Sequence, residues 1–157
     1  MKRKCFESDA CPVARSLEAV GDVWSLLIVR EAFLGKRRFG EFQKSLGVAK
    51  NILTVRLRKL VEFAVLEQVP ATDGSAYQEY TLTEKGRELY LVLIALRQWS
   101  LTCDDETEYV LCDRRDGKPV KPLAFHAHDG RELTPNEVEL VPAKSAARKV
   151  LGQHQAR

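Results

Sequence analysis

Apolar positions recur with helical spacing through the first half of the chain. Pro12 leads into Val13–Val20, and Gly21 ends that run. A proline suits the first helical position, where an N–H would have no partner. Gly21 is expected to take the left-handed stop conformation. Asp22 is a good N-cap for the next run, Val23 to Leu34, which Gly35 closes. That run is apolar nearly all round (Val23, Trp24, Leu26, Leu27, Ile28, Val29, Ala32, Phe33, Leu34), so it predicts a central core helix. At about twelve residues it is too short for a bilayer, which needs about 20.

A short amphipathic stretch follows from Phe39 to Leu46, with Phe39, Phe42 and Leu46 at helical spacing. Gly47-Val48 breaks it. The next helix, about Ala49 to Phe63, places Leu53, Leu57 and Leu60 inside and Lys50, Asn51, Thr54, Val55, Arg58 and Lys59 on the reverse face. Two helices joined by a tight glycine turn, the second basic in front and apolar behind, form a helix-turn-helix pattern. Two β-prone runs come next, Val65–Val69 and Tyr77–Leu82, around the turn cluster Pro70–Ala76. They predict a hairpin placed as a wing, with Thr72, Asp73, Gly74 and Ser75 at its tip.

Thr83-Glu84-Lys85-Gly86 then opens a long helix reaching about Thr102. Its apolar residues cover more than one face, a surplus for one small domain. We expect Leu89, Val92, Leu93, Leu96 and Trp99 to meet a second copy of the chain; a tail folded over them is the alternative. Beyond Asp104 the texture becomes β-prone and turn-rich, with short pieces Glu108–Cys112, Val120–Ala127 and Val138–Val141. The expected organisation is a flexible arm (1–10), a winged helix-turn-helix with its dimerisation helix (11–103), a small β-rich appendage (104–143) and a disordered tail (144–157). The fold class is mainly α (α+β).

Composition adds little until charge is located. The 157 residues are 45% hydrophobic and 30% charged, with a net charge of +3, which fits an ordered chain and names no partner. Between Lys36 and Lys59, however, stand eight cations (Lys36, Arg37, Arg38, Lys44, Lys50, Arg56, Arg58, Lys59) and one acid, Glu41. Such a run is either a phosphate-binding footprint or a solvated helical face. No apolar signal core follows Met1-Lys2-Arg3-Lys4-Cys5, and no run is long enough for a membrane, so a cytoplasmic protein without membrane contact is expected. Four cysteines (Cys5, Cys11, Cys103, Cys112) then read as buried, sensing or metal-binding residues before structural disulfides. A zinc site from Cys103, Cys112, His126 and His128 lacks the paired Cys-x-x-Cys spacing, and no metal or cofactor is expected. No phosphate-cradling glycine loop, H-E-x-x-H or nucleophile–base spacing points to an enzyme.

The order of elements resembles the HxlR family, a branch of the MarR-like winged-helix regulators. Cys11-Pro12 stands before the first helix, and Gly21-Asp22-Val23-Trp24 is similar to the family's Gly-x-x-Trp. Arg30-Glu31, Gly35 and Arg38-Phe39-Gly40-Glu41-Phe42 resemble its "L-R-E…G-x-R-R-F-x-E-L" stretch. Leu53-Thr54-Val55-Arg56-Leu57-Arg58-Lys59-Leu60 resembles "L-T-x-R-L-R-E-L", and Tyr80-Thr81-Leu82-Thr83-Glu84-Lys85-Gly86 resembles "Y-x-L-T-x-x-G". The matches run across residues 11–99. Ala49 departs where an N-cap such as Ser is usual, and Phe63-Ala64 replaces an acidic-Gly turn. The resemblance implies a transcriptional regulator, read here as a repressor, that binds a double-stranded DNA operator as a homodimer. It also puts Cys11 at the family's redox- or electrophile-sensing position, which leaves a small-molecule or electrophile effector open.

In such a regulator Asn51, Arg56 and Arg58 are the best candidates for reading bases, with Lys50 and Thr54 beside them in the major groove. Arg37, Arg38, Lys44 and Lys59, with Lys36, would hold phosphates, and Ser75 would touch DNA from the wing. Arg56 lies beside the Leu53/Leu57 stripe and has a second reading, an internal ion pair. Cys11 stands at a helix N-terminus, where unpaired N–H groups favour an anion, and Cys5 is a candidate resolving thiol. A winged-helix protein-interaction module without specific DNA binding is the alternative function.

Overall fold

A computed structural model describes residues 11–102 and 109–142. The chain divides into two compact units, Met1–Thr107 and Glu108–Arg157. Cys5 and Cys103, the N-terminal arm and the C-terminal tail lie outside the described residues.

The first unit contains α1 (Pro12–Val20), α2 (Val23–Phe33), α3 (Phe39–Leu46), α4 (Lys50–Glu62), the antiparallel strands β1 (Leu66–Pro70) and β2 (Gln78–Leu82), and α5 (Glu84–Ser100). Helix α2 is central, touching α1, α3, α4, α5 and β2. Its Ile28 and Val29 join Phe42 of α3, Leu53, Leu57 and Leu60 of α4, and Val65 and Leu66 in one buried cluster. Asp22 caps α2 as its position predicts: its carboxylate accepts from the Trp24 and Ser25 N–H groups at 3.1 and 3.0 Å and from the Ser25 hydroxyl at 2.6 Å. Among the described residues no helix is long and apolar enough to cross a membrane.

Two turns show why particular residues stand there. Gly47 ends α3 in the left-handed conformation at φ 61° and turns the chain into α4. Gly21, expected in that conformation, has φ −76° instead. Glycine is needed there for space, because a Cβ would lie 2.3 Å from the Leu17 carbonyl oxygen. The left-handed position falls instead on Ala64, at φ 52°, just past α4. This is where the acidic-Gly turn is replaced. The Thr83 hydroxyl donates to the Ala64 carbonyl at 2.6 Å and helps hold the turn.

Strands β1 and β2 pair from Leu66 with Leu82 to Pro70 with Gln78, leaving 71–77 as the wing loop. The loop between α2 and α3 is stitched to this ribbon, since the Tyr80 N–H donates to the Arg37 carbonyl at 2.8 Å. A second cross-link joins α2 to α3, where buried Glu31 accepts from the Arg30 guanidinium at 2.7 Å and from the Ser45 hydroxyl. Burial pushes the Glu31 carboxyl up, but the Ser45 and Arg30 hydrogen bonds and the charges of Arg30 and Lys36 outweigh it, holding it below the ordinary 4.5.

The second unit is built from turns. Cys112 bridges Pro119 around the turn 113–118, and β3 (Phe125–His126) pairs with β4 (Glu132–Leu133) around Asp129-Gly130. A 3-10 turn follows at Pro135–Glu137, where Glu137 accepts from the Thr134 N–H and hydroxyl at 2.9 and 2.8 Å. Val138–Val141, expected as a β piece, forms no strand. None of residues 109–142 is buried.

Two outcomes follow from these turns and cross-links. A left-handed residue other than glycine costs about 1–2 kcal/mol, partly offset by the entropy glycine loses on folding, about 0.5–1 kcal/mol. Ala64→Gly should therefore raise the unfolding free energy by about 0.5–1 kcal/mol in urea titration; a loss would contradict the left-handed assignment. Because the Glu31 pKa is lowered by folding, its stabilisation is present above 4.5 and lost as pH falls through the lower folded value. Thermal unfolding followed below pH 4.5 should thus show a shallower acid-side fall in Tm for Glu31→Gln than for the parent chain.

Candidate nucleic-acid interface

Helix α4 is sharply two-faced. Leu53, Leu57 and Leu60 are buried, while Lys50, Asn51, Thr54, Val55 and Arg58 are exposed. The helix starts without a side-chain cap, since Ala49 has no acceptor to offer. Lys50, its first residue, is exposed. The Thr54 hydroxyl bonds back to the Lys50 carbonyl at 2.8 Å and retains its acceptor capacity.

Two cations of the basic run turn inward. Arg56 Nε stands 3.1 Å from Asp22 Oδ1, with 23% of its side chain exposed. Its alignment is that of an ion pair without a directed hydrogen bond. Lys59 Nζ lies 3.4 Å from Glu18 Oε1 and 5.6 Å from the Phe63 ring centroid, with 17% of its side chain exposed. Lys59 was expected on a phosphate, whereas Arg56 had two readings, DNA or an internal ion pair, and it takes the second. The structure places them at the seams of α4 with α2 and α1, because acids stand at the neighbouring helix ends within reach of their long stems.

Arg37 and Arg38 face the wing. Arg38 Nη2 lies 2.6 Å from Asp73 Oδ2 and 3.4 Å from Glu79 Oε1, and Arg37 Nη1 lies 3.7 Å from Glu79 Oε2. The Glu79 side chain is only 4% exposed and also accepts from the Thr72 hydroxyl at 3.3 Å. Arg38, then Ser75, hold the Asp73 carboxyl well below the usual carboxylate range. Ser75 donates its N–H to Asp73 at 3.0 Å within the wing turn. Beneath, Glu41 accepts from the Arg37 and Arg38 N–H groups at 2.8 and 2.9 Å, which hold its carboxyl down and start α3.

The outward field is thus smaller than the run of eight suggests. Lys44, Lys50 and Arg58 are the exposed cations of this run without an ion pair among the described residues. Two further residues join them that sequence reasoning missed. Gln68 donates to the Tyr80 hydroxyl at 3.1 Å, and both line a cavity of about 240 Å³ with Thr54, Arg58 and Val61. Their common signal is the cross-strand register, in which Gln68 sits opposite Tyr80, and a loop of unknown length hides that from the sequence.

The remaining candidates lie elsewhere. Cys11 is exposed as the N-cap of α1. Leu89 and Leu93 pack against their own core, whereas Val92, Leu96 and Trp99 are exposed, Trp99 by 69%. Among the described residues no group of His, Cys, Asp or Glu is placed to hold a metal, and Cys103 lies outside them.

This architecture has close counterparts. The family model for HxlR-like helix-turn-helix matches residues 19–108. The HTH-type transcriptional regulator MT3179 of Mycobacterium tuberculosis (strain CDC 1551 / Oshkosh) is 38% identical over 148 residues, covering 87% of this chain and 87% of its own length. The crystal structure of PA1607, a candidate transcription factor, is 50% identical with a TM-score of 0.81, covering 87% of this chain and 97% of that one. The redox regulator HypR in its reduced form is 26% identical with a TM-score of 0.53, over 60% of this chain and 95% of its own. With its winged-helix fold and outward-facing α4, the chain belongs to the HxlR-like helix-turn-helix family of transcriptional regulators.

Proposed function

We propose that the protein binds a double-stranded operator as a homodimer, acts as a repressor, and responds to oxidants or electrophiles through Cys11. The observation that carries DNA recognition is the two-faced α4, with Lys50, Asn51, Thr54 and Arg58 presented together on a face rigidly backed by Leu53, Leu57 and Leu60. Asn pairs bidentately with adenine and Arg with guanine, so Asn51 and Arg58 read bases. Lys44 and Lys50 neutralise phosphates and set the register. A basic helix that leaves a central core and stands beside a hairpin suits a major groove better than a protein partner.

The dimer rests on α5. Leu89, Val92, Leu93, Leu96 and Trp99 form an apolar stripe on it, and Val92, Leu96 and Trp99 remain exposed after Leu89 and Leu93 have packed on their own core. A second copy covers that stripe and supplies the second recognition helix. Redox response is supported by the exposure of Cys11 at the start of α1 and by the likeness to HypR, a redox regulator. Reaction there would alter how α1 meets its neighbours and so the spacing of the two α4 helices.

Fluorescence anisotropy with the duplex upstream of the protein's own gene tests this reading. Arg58→Ala should cost about 1–3 kcal/mol of operator binding and relax one base preference. Arg56→Ala, which breaks the Asp22 pair, should instead lower the unfolding free energy while folded protein keeps the same base preference. Leu96→Asp should give monomers in sedimentation and weaken operator binding. A Cys11→Ser protein should hold the operator in the presence of diamide. Unchanged binding by Arg58→Ala would remove α4 from the interface.

A further inference from the structure

We infer that Arg38 is the residue that positions the wing, not a phosphate contact: its guanidinium ties the wing tip at Asp73 and the ribbon at Glu79 to the start of α3. This rests on the reading that α4 and the wing together meet DNA, and it names what sets the distance between them.

The wing needs such a tie. Two five-residue strands carry a seven-residue loop, 71–77, and a two-stranded ribbon is marginal by itself. Inside the loop the turn is closed by Ala71 accepting from Gly74 at 3.1 Å and by Asp73 accepting from the Ser75 N–H at 3.0 Å. These bonds shape the tip but do not place it relative to the helices. The contacts that do so converge on Arg38. Its backbone N–H is held by Glu41 at 2.9 Å, and the adjoining Arg37 carbonyl is held by the Tyr80 N–H at 2.8 Å. The side chain leaves this fixed base as a planar fork. Nη2 reaches Asp73 at 2.6 Å and Glu79 at 3.4 Å, while Nε also reaches Glu79 at 3.4 Å. Arg37 and Thr72 close around the same Glu79 carboxylate.

Charge decides between the two roles. The cluster holds two guanidinium groups and two carboxylates, so the positive charge of Arg38 is already matched. A phosphate that captured Arg38 would leave Asp73, half exposed, beside another anion. Such an exchange would release little counterion and add like-charge repulsion. A tie that stays closed on DNA avoids both and presents a pre-placed tip, which lowers the ordering cost of binding. The fork matters to this role, because Nε adds a second donor to Glu79 in the plane of Nη2, which the single nitrogen of an ammonium does not supply.

The test compares Arg38→Gln, Arg38→Lys, Asp73→Asn and the Arg38→Gln/Asp73→Asn double variant, each confirmed folded by circular dichroism. Two readouts are used: amide hydrogen exchange of residues 72–77 in DNA-free protein, and operator affinity by anisotropy across a salt series. Wing exchange should quicken in all four variants. Operator affinity should fall about 3–10-fold in each single variant, the scale of a lost positioning contact. The double variant should be no weaker than the worse single one, and the salt slope should match the parent. Tighter binding by Asp73→Asn, a salt slope reduced by about one in Arg38→Gln, or parental affinity in Arg38→Lys would overturn the proposal and make Arg38 a phosphate contact. Unchanged wing exchange would overturn it as well. The reading of α4 fails separately, by the Arg58→Ala result, since wing exchange is measured without DNA.

Discussion

The molecule turns on one buried seam, where Leu53, Leu57 and Leu60 of α4 enter the cluster formed with Ile28 and Val29 of α2 and Phe42 of α3. A recognition helix must present short polar side chains at a fixed height and angle, which a helix held only by its ends cannot do. The leucine stripe fixes its rotation. Asp22 then does two jobs at one point, capping α2 through the Trp24 and Ser25 N–H groups and facing Arg56 of α4 across the seam. Glu18 repeats the arrangement one turn on, from α1 to Lys59. The polar face of α4 is therefore set by contacts on its hidden side.

Much of this was legible in the chain itself. Helical periodicity locates every helix of the first unit, Asp22 is visible as a cap, and Asp73-Gly74 marks the wing turn. The ambiguity lay in the long cations. A run from Lys36 to Lys59 shows charge along the chain, yet a guanidinium reaches several ångströms around a helix, and its direction depends on acids supplied by other elements. Arg56 and Lys59 find such acids in α2 and α1, and Arg37 and Arg38 find them in the wing. No local pattern announces a partner 34 to 42 residues away. Gln68 and Tyr80 were hidden for a related reason, because strand register assigns their face. Gly21 shows a third limit: the residue signals a constraint, but space and left-handed geometry leave the same letter.

The long helix and the second unit share a physical property. Val92, Leu96 and Trp99 remain exposed on α5, and Tyr109, Val110, Phe125 and Leu140 remain exposed in the second unit. The matches to PA1607 and MT3179 each cover 87% of this chain, against 60% for HypR, and so extend beyond the 19–108 span of the family model.

In the proposed dimer the outward face of α4 meets base edges in each half of the operator. The most direct measurement places a photoreactive group at residue 51 and maps its crosslinks on the operator duplex. Crosslinks are expected at major-groove base atoms at two positions about 34 Å apart, one helical turn, related by two-fold symmetry. Crosslinks confined to the backbone, or to a single position at saturating protein, would contradict it.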